Sequence, residues 1–367
     1  MVPSIYVAGT GMHSGKTLVC LGLVAALKKR GIRVAYMKPV GQHAVSFCNA
    51  VVDEDVALMQ QVFRLPTAPA HANPVTIPHG YTRKFLSEGQ SSEELISKIS
   101  EAYESVCDGA ELVVVEGTGH AGVGAVVGLS NARVARLLGS RAVIVAGGGI
   151  GRPVDEFYLN RALFEQQQVP VLGMISNKIR LPRLEELTGL LSTWVAGEGC
   201  ALFGMMPYAP VLSEITLTQI VQEIGARVIS GADALQRKMR TFIIGAGPCH
   251  RVLRQFEDGV LLITDGDRDD LVLGAVSWDQ AHSSDIAKGI GVCLTADVLP
   301  QEDVLSLAVR SRVPVIAASG GTCEVGTAIR SLVAKILADE QEKIDTAQRL
   351  VDEYVDVDAL LAALNAS

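Results

Sequence analysis

No two cysteines in this sequence stand at the spacing of a zinc or dithiol site. The seven present, Cys20, Cys48, Cys107, Cys200, Cys249, Cys293 and Cys323, are scattered and odd in number, with no C-x-x-C pair. A disulfide framework and a structural zinc site are therefore not expected, and a reducing, cytoplasmic setting is. No apolar run reaches the ~20 residues that span a bilayer, so no membrane partner is expected. An excess of positive charge is also missing. Lys and Arg number 32 against 40 Asp and Glu, a formal net charge of −8. Affinity for nucleic acid comes mostly from cations on phosphates, so DNA and RNA are not expected partners. The N-terminus has no basic flank ahead of its first apolar segment, which argues against a secretory signal. No low-complexity linker is visible, and no repeat at the ~20–50-residue periods of solenoids.

What is present is material for packed cores: 49% hydrophobic residues against 20% charged over 367 positions. That length suits two domains of ~150 residues each. Apolar strand-like runs alternate with helical patterns. "SIYVAG" reads as a strand, "KTLVCLGLVAALKKRG" as a helix closed by Gly31, and "RVAYMKPV" as the next strand. "AELVVVEG", "RAVIVAGGG", "PVLGMISNK" and "ALFGMMPY" follow, separated by helical segments. Fully apolar strands joined by helices predict a doubly wound, mostly parallel α/β sheet covered on both faces. The alternation pauses over Pro210–Met239 and then resumes. The expected division is a first domain over 1–212, a connecting segment over 213–239, a smaller α/β domain of about four strands over 240–340, and a helical tail over 341–367.

"GTGMHSGKT", Gly9–Thr17, lies between the first strand and its helix. The strict phosphate-loop pattern G-x-x-x-x-G-K-[ST] needs a glycine where Thr10 stands; Gly9 comes one position early. The setting is nevertheless that of a phosphate site. Backbone N–H groups at a helix start point into the loop, and the helix dipole favours an anion there. Lys16 suits the β/γ-phosphates, and the Thr17 hydroxyl suits Mg²⁺. Glu116 ends an apolar strand at the carboxyl edge of a parallel sheet, where ligands bind in such folds. In the second half, "TDGDRDD" carries Asp265, Asp267, Asp269 and Asp270. Asp269 reads better as a helix cap than as a cation ligand. "SGGTCEVG" is a second strand–glycine–helix junction, without a lysine to support an anion there.

The loop, one residue longer than the strict pattern, resembles that of dethiobiotin synthetase. Further segments resemble the same family in order: "YMKPVG" (Tyr36–Gly41), "DEDVALM" with Asp55, "VVVEGTG" (Val113–Gly119), "ISNK" (Ile175–Lys178) and "GMMPY". The resemblance covers residues 1–212. It implies ATP or ADP with Mg²⁺ as cofactors, bound by Gly9, Thr10, Gly11, Met12, His13, Ser14, Gly15, Lys16, Thr17 and Leu18. It also implies Asn177 as a reader of adenine, with Pro207 in the strand that follows. Lys16 and Lys38 take catalytic roles by the same resemblance, and Thr17, Asp55 and Glu116 the metal. From the residues alone, Asp55 reads equally well as a helix N-cap, Lys38 as a surface lysine and Asn177 as a polar strand end.

"TDGDRDDLVLGAV" and "GVCLTADVLPQEDVLSLAVRSRVPVIAASGGTCEVGTAI" resemble a DRTGG domain. The two parts together resemble the N-terminal, non-catalytic region of long bacterial phosphotransacetylases. The resemblance implies a homodimer. Acetyl transfer is not expected of these 367 residues. Dethiobiotin synthetase carries a serine-bearing loop after its Lys-Pro-Val; here the chain reads "KPVGQHAV". Three functions stay open. One is a nucleotide-sensing regulatory protein, with slow ATP hydrolysis or a second small-molecule ligand. Another is an ATP-dependent ligase or cyclase. The third is an interaction subunit of a separate phosphate acetyltransferase.

Overall fold

Runs of Val, Ile, Leu and Ala build the larger sheet, in six strands: β1 Ser4–Gly9, β2 Val34–Met37, β3 Leu112–His120, β4 Arg141–Ala146, β5 Val171–Ile179 and β6 Ala201–Pro207. The structure, a computed structural model, describes residues 2–366 apart from 79, 284 and 286. The strands are all parallel, in the order β6-β5-β4-β1-β3-β2. All of β1 is buried, as a strand covered on both faces requires. Register pairs Val7 with Glu116 and Gly9 with Val145, so the loop after β1 starts between the carboxyl ends of β3 and β4. Helices Glu93–Cys107, Asn131–Leu137 and Arg152–Gln166 contribute to one large apolar cluster with the sheet. Helix α1, Lys16–Lys29, follows the loop directly, and α2 is Glu54–Phe63.

The chain divides into two compact units, 1–209 with 336–367, and 210–335. The C-terminal segment is therefore part of the first unit. Its helix α3, Gln341–Tyr354, crosses α1 closely at Gly22. A Cβ there would lie 2.2 Å from Val351 Cγ2 and 3.1 Å from the Ala347 carbonyl. Arg30 grips Asp358 of the last helix, α4 Val357–Asn365, at 2.8 and 3.1 Å. Arg141 donates to the Leu364 carbonyl at 2.7 Å, at the end of that helix.

The second unit holds a five-stranded sheet: β7 Arg227–Ser230, β8 Thr241–Ile244, β9 Val260–Asp265, β10 Gly291–Thr295 and β11 Val315–Ala317. Their order is β7-β11-β10-β9-β8, parallel except for β7 against β11. The sequence pattern does not show β7. "RVIS" is short, only partly buried, and an antiparallel edge strand outside the β/α alternation. Helix Leu217–Ile224 also belongs to this unit, closed at its start by a capping box between Thr216 and Gln219. Asp269 is not the expected cap. It lies in the first turn of helix Asp269–His282, and its carboxylate accepts from the Gln301 N–H at 3.1 Å. Among the described residues, no group of three or more His, Cys, Asp or Glu is placed to hold a metal. No helix among them is long and apolar enough to cross a membrane.

Candidate nucleotide site

The loop's first glycine is required by what converges on it. A Cβ at Gly9 would lie 2.4 Å from Ser14 Oγ and 3.0 Å from Lys16 Nζ. The Ser14 hydroxyl is buried without a hydrogen-bond partner. Lys16, 8% exposed, donates to the Gly11 carbonyl at 3.0 Å. Burial lowers its pKa, with Glu116 opposing the shift. A buried ammonium and an orphaned hydroxyl facing one small space are the groups an oxyanion satisfies. Thr10 is tied from helix Arg152–Gln166: its hydroxyl donates to Glu156 at 3.2 Å, and Asn160 donates to its carbonyl at 3.3 Å. Met12 and His13 are exposed, and Leu18 is buried in α1.

Glu116 is buried in the middle of β3, which runs on to His120 and so does not end at the carboxylate as the sequence suggested. It accepts from the Thr17 hydroxyl at 2.8 Å and from the Tyr36 phenol at 2.8 Å. Burial and the nearby Asp55 charge raise its pKa to about 7, against the pull of Lys38 and the two hydroxyls. Thr17, Glu116 and Tyr36 thus form one cluster from α1, β3 and β2.

Lys38 is 5% exposed and so is no ordinary surface lysine. Its ammonium is 2.7 Å from Asp53 Oδ1 and also bonds Asp55. Burial opposes its charge, but Asp55, Glu116 and Asp53 outweigh burial and hold its pKa above the usual lysine value. Asp53, not Asp55, caps α2: its side chain accepts from the Asp55 N–H. Asp55 stands in the first turn with its carboxylate on Lys38. An antiparallel hairpin, Ala44–Phe47 with Ala50–Asp53, fills the place after Lys-Pro-Val, turning at Cys48 and Asn49 with φ of 47° and 61°.

Asn177 is buried near the end of β5. Its Nδ2 donates to the Ser14 carbonyl at 3.0 Å, and its Oδ1 accepts from the Lys178 N–H at 2.8 Å. Pro207 is buried at the end of β6, in register with Ile179. Carboxyl ends of the strands therefore gather the loop, Glu116, Lys38, Asp55 and Asn177 at one edge. The sequence reading missed Asp53, Tyr36, Glu156, Asn160 and Lys178. Only Asp53 had a visible signal, as the first acid of "DEDVALM", three residues ahead of the apolar run beginning at Val56.

A family model described as an AAA domain matches residues 3–230. The chain belongs to this family. The AAA domain is followed by a match to the DRTGG domain over residues 219–332. A phosphate acetyltransferase of Pseudomonas putida is 28% identical over 371 residues, covering 96% of this chain and 50% of that protein. A phosphate acetyltransferase of Synechocystis is 25% identical, covering 98% of this chain and 52% of its own length. The chain thus spans about half the length of the curated relatives it matches. Among solved structures, MinD complexed with Mg-ADP from Pyrococcus horikoshii is similar at 16% identity, covering 58% of this chain and 84% of that one, with a TM-score of 0.38. The expected pairing of a phosphate-loop domain with a DRTGG domain, as in long phosphotransacetylases, is borne out.

Proposed function

We propose that the AAA domain binds ATP or ADP with Mg²⁺ at Gly9–Thr17 and serves as a nucleotide-sensing regulatory module. The observation that carries this is the convergence of Lys16 Nζ and the unpartnered Ser14 hydroxyl on Gly9. Both groups are buried at the start of a helix, where a phosphate oxygen would satisfy them. Thr17, Glu116 and Asp55 would hold Mg²⁺ as oxygen ligands. The ion, when bound, would neutralise phosphate charge.

Sensing is favoured over ligase chemistry by Lys38, which already holds Asp53 and Asp55. The hairpin after it offers an exposed face at Ala44–Ser46. The second unit joins the first at two places along the chain, just after β6 and just before α3. One leads from the edge strand of the site's sheet, and the other into the helix that crosses α1. This connectivity suits transmission of nucleotide state to the DRTGG domain. The relatives' names extend the proposal to an acetyltransferase partner, checked by copurification. A homodimer belongs to the same proposal and is checked by light scattering at micromolar concentration.

A nucleotide thermal-shift panel tests the central reading. Wild type should melt higher with millimolar ATP and Mg²⁺, and Lys16→Ala should lose the rise. No shift for wild type would sink it.

A further inference from the structure

We propose that Asn177 and Lys178 are positioning residues: they hold the phosphate loop from outside so that its N–H groups face the ligand. The inference rests on the nucleotide reading above and changes what Asn177 is for.

Two consecutive loop carbonyls are taken by two consecutive residues of β5. The His13 carbonyl accepts from Lys178 Nζ at 2.9 Å, and the Ser14 carbonyl accepts from Asn177 Nδ2 at 3.0 Å. In a planar trans peptide the C=O and the following N–H point in opposite directions. Holding the His13 carbonyl outward therefore fixes the Ser14 N–H, and holding the Ser14 carbonyl fixes the Gly15 N–H. Those are donors of the turn that precedes Lys16.

Local geometry is committed to this arrangement. The Lys178 N–H occupies Asn177 Oδ1 at 2.8 Å, which turns the amide nitrogen toward the loop. A Cβ at Gly15 would lie 2.1 Å from that nitrogen, so glycine is needed there for the approach as well as for its φ of 105°. Lys178 itself adopts φ 62°, a left-handed conformation that a non-glycine residue holds only when its surroundings impose it. His13 is left-handed as well, with φ 61°. Strain is thus placed on both sides of the contact. Asn177 is 2% exposed, so its amide has little freedom to leave the loop.

A base reader and a loop clamp differ in what they discriminate. Loss of a base reader weakens ATP alone. Loss of a clamp weakens every ligand that carries the phosphates. The experiment measures dissociation constants of ATP, CTP and inorganic tripolyphosphate, each with Mg²⁺, for wild type, Asn177→Ala and Lys178→Met, by calorimetry or by competition. Both variants should weaken all three ligands by a common factor of about tenfold, the size of one lost hydrogen bond. The ligand-free melting temperatures identify any variant that fails to fold; Lys178→Met, at an exposed side chain, carries the test if Asn177→Ala does not fold. Weakening of ATP alone, with CTP and tripolyphosphate within twofold of wild type, overturns the clamp and leaves the nucleotide reading intact. Unchanged affinities in both variants overturn it too. If wild type binds none of the three, the nucleotide reading fails and the clamp with it.

Discussion

Lys38 Nζ and Asp53 Oδ1 lie 2.7 Å apart in a site where the two side chains are 7% and 0% exposed. The pair is satisfied on both sides. Asp53 also accepts from the N–H groups of Gln42 at 2.8 Å, His43 at 3.1 Å and Asp55 at 3.1 Å. One carboxylate therefore closes the hairpin, caps α2 and neutralises the lysine. Asn73 completes the arrangement, accepting from the Asp53 N–H and donating to the Lys38 carbonyl.

Asp53→Asn leaves Lys38 its bond to Asp55 but weakens the acceptor shared by the Gln42, His43 and Asp55 N–H groups. It should cost about 2 kcal/mol in urea unfolding, the scale of disturbing a buried hydrogen-bond acceptor. Asp55→Asn should cost less, because that side chain is 21% exposed and Lys38 keeps Asp53. If both variants unfold alike, Asp53 has no special structural role.

The sheet was legible because its strands are continuous apolar runs, a pattern that only a strand covered on both faces needs. The loop was legible from "SGKT" in its strand–helix setting. Asp53 was not, because sequence alone cannot say which acid of "DEDVALM" caps the helix and which reaches Lys38. Tyr36 and Asn160 are invisible for a similar reason. Each looks like an ordinary strand or helix residue until register brings it to Glu116 or Thr10. The antiparallel β7 falls outside the β/α period, and the hairpin at Cys48–Asn49 turns without a glycine.

Glu116 sets a pH dependence. Its folded pKa of about 7 lies above the ordinary 4.5. As pH rises through that window the unfolded chain loses this proton first, while the folded protein retains it. This group's contribution to stability therefore falls between pH 4.5 and 7, by on the order of 3 kcal/mol at most. In chelator-containing buffer without nucleotide, Glu116→Gln should flatten the fall in unfolding free energy across that window. A variant with the wild-type slope would show that Glu116 ionises normally.

Metal dependence separates the same carboxylates by ligand. Asp55→Ala and Glu116→Ala should each weaken ATP binding in Mg²⁺ more than in EDTA. Equal losses in the two buffers for both variants would remove them from the metal site.

The α1–α3 crossing has no room at Gly22. Gly22→Val would drive methyl groups into Val351, so overpacking of about 2 kcal/mol is expected. Protease sensitivity around 336–340 should rise, since α3 must shift to relieve the clash. A variant that melts and resists protease like wild type would mean the helices adjust at no cost.

Nucleotide should also be felt in the second unit. The chain leaves the first unit after β6 and returns into α3, whose crossing with α1 is fixed at Gly22. The first turn of α1 carries Lys16 and Thr17, so a ligand drawn to those groups bears on the helix to which the returning segment is docked. A ligand shifts a two-state equilibrium only by its differential affinity for the two states. The required observation is therefore a change that depends on ATP and is lost with Lys16→Ala. Hydrogen exchange should show altered protection within 210–335 when ATP and Mg²⁺ are added to wild type, and none in Lys16→Ala. Exchange there that ignores nucleotide, in protein that demonstrably binds it, would reduce the chain to a nucleotide-binding domain with an uncoupled neighbour.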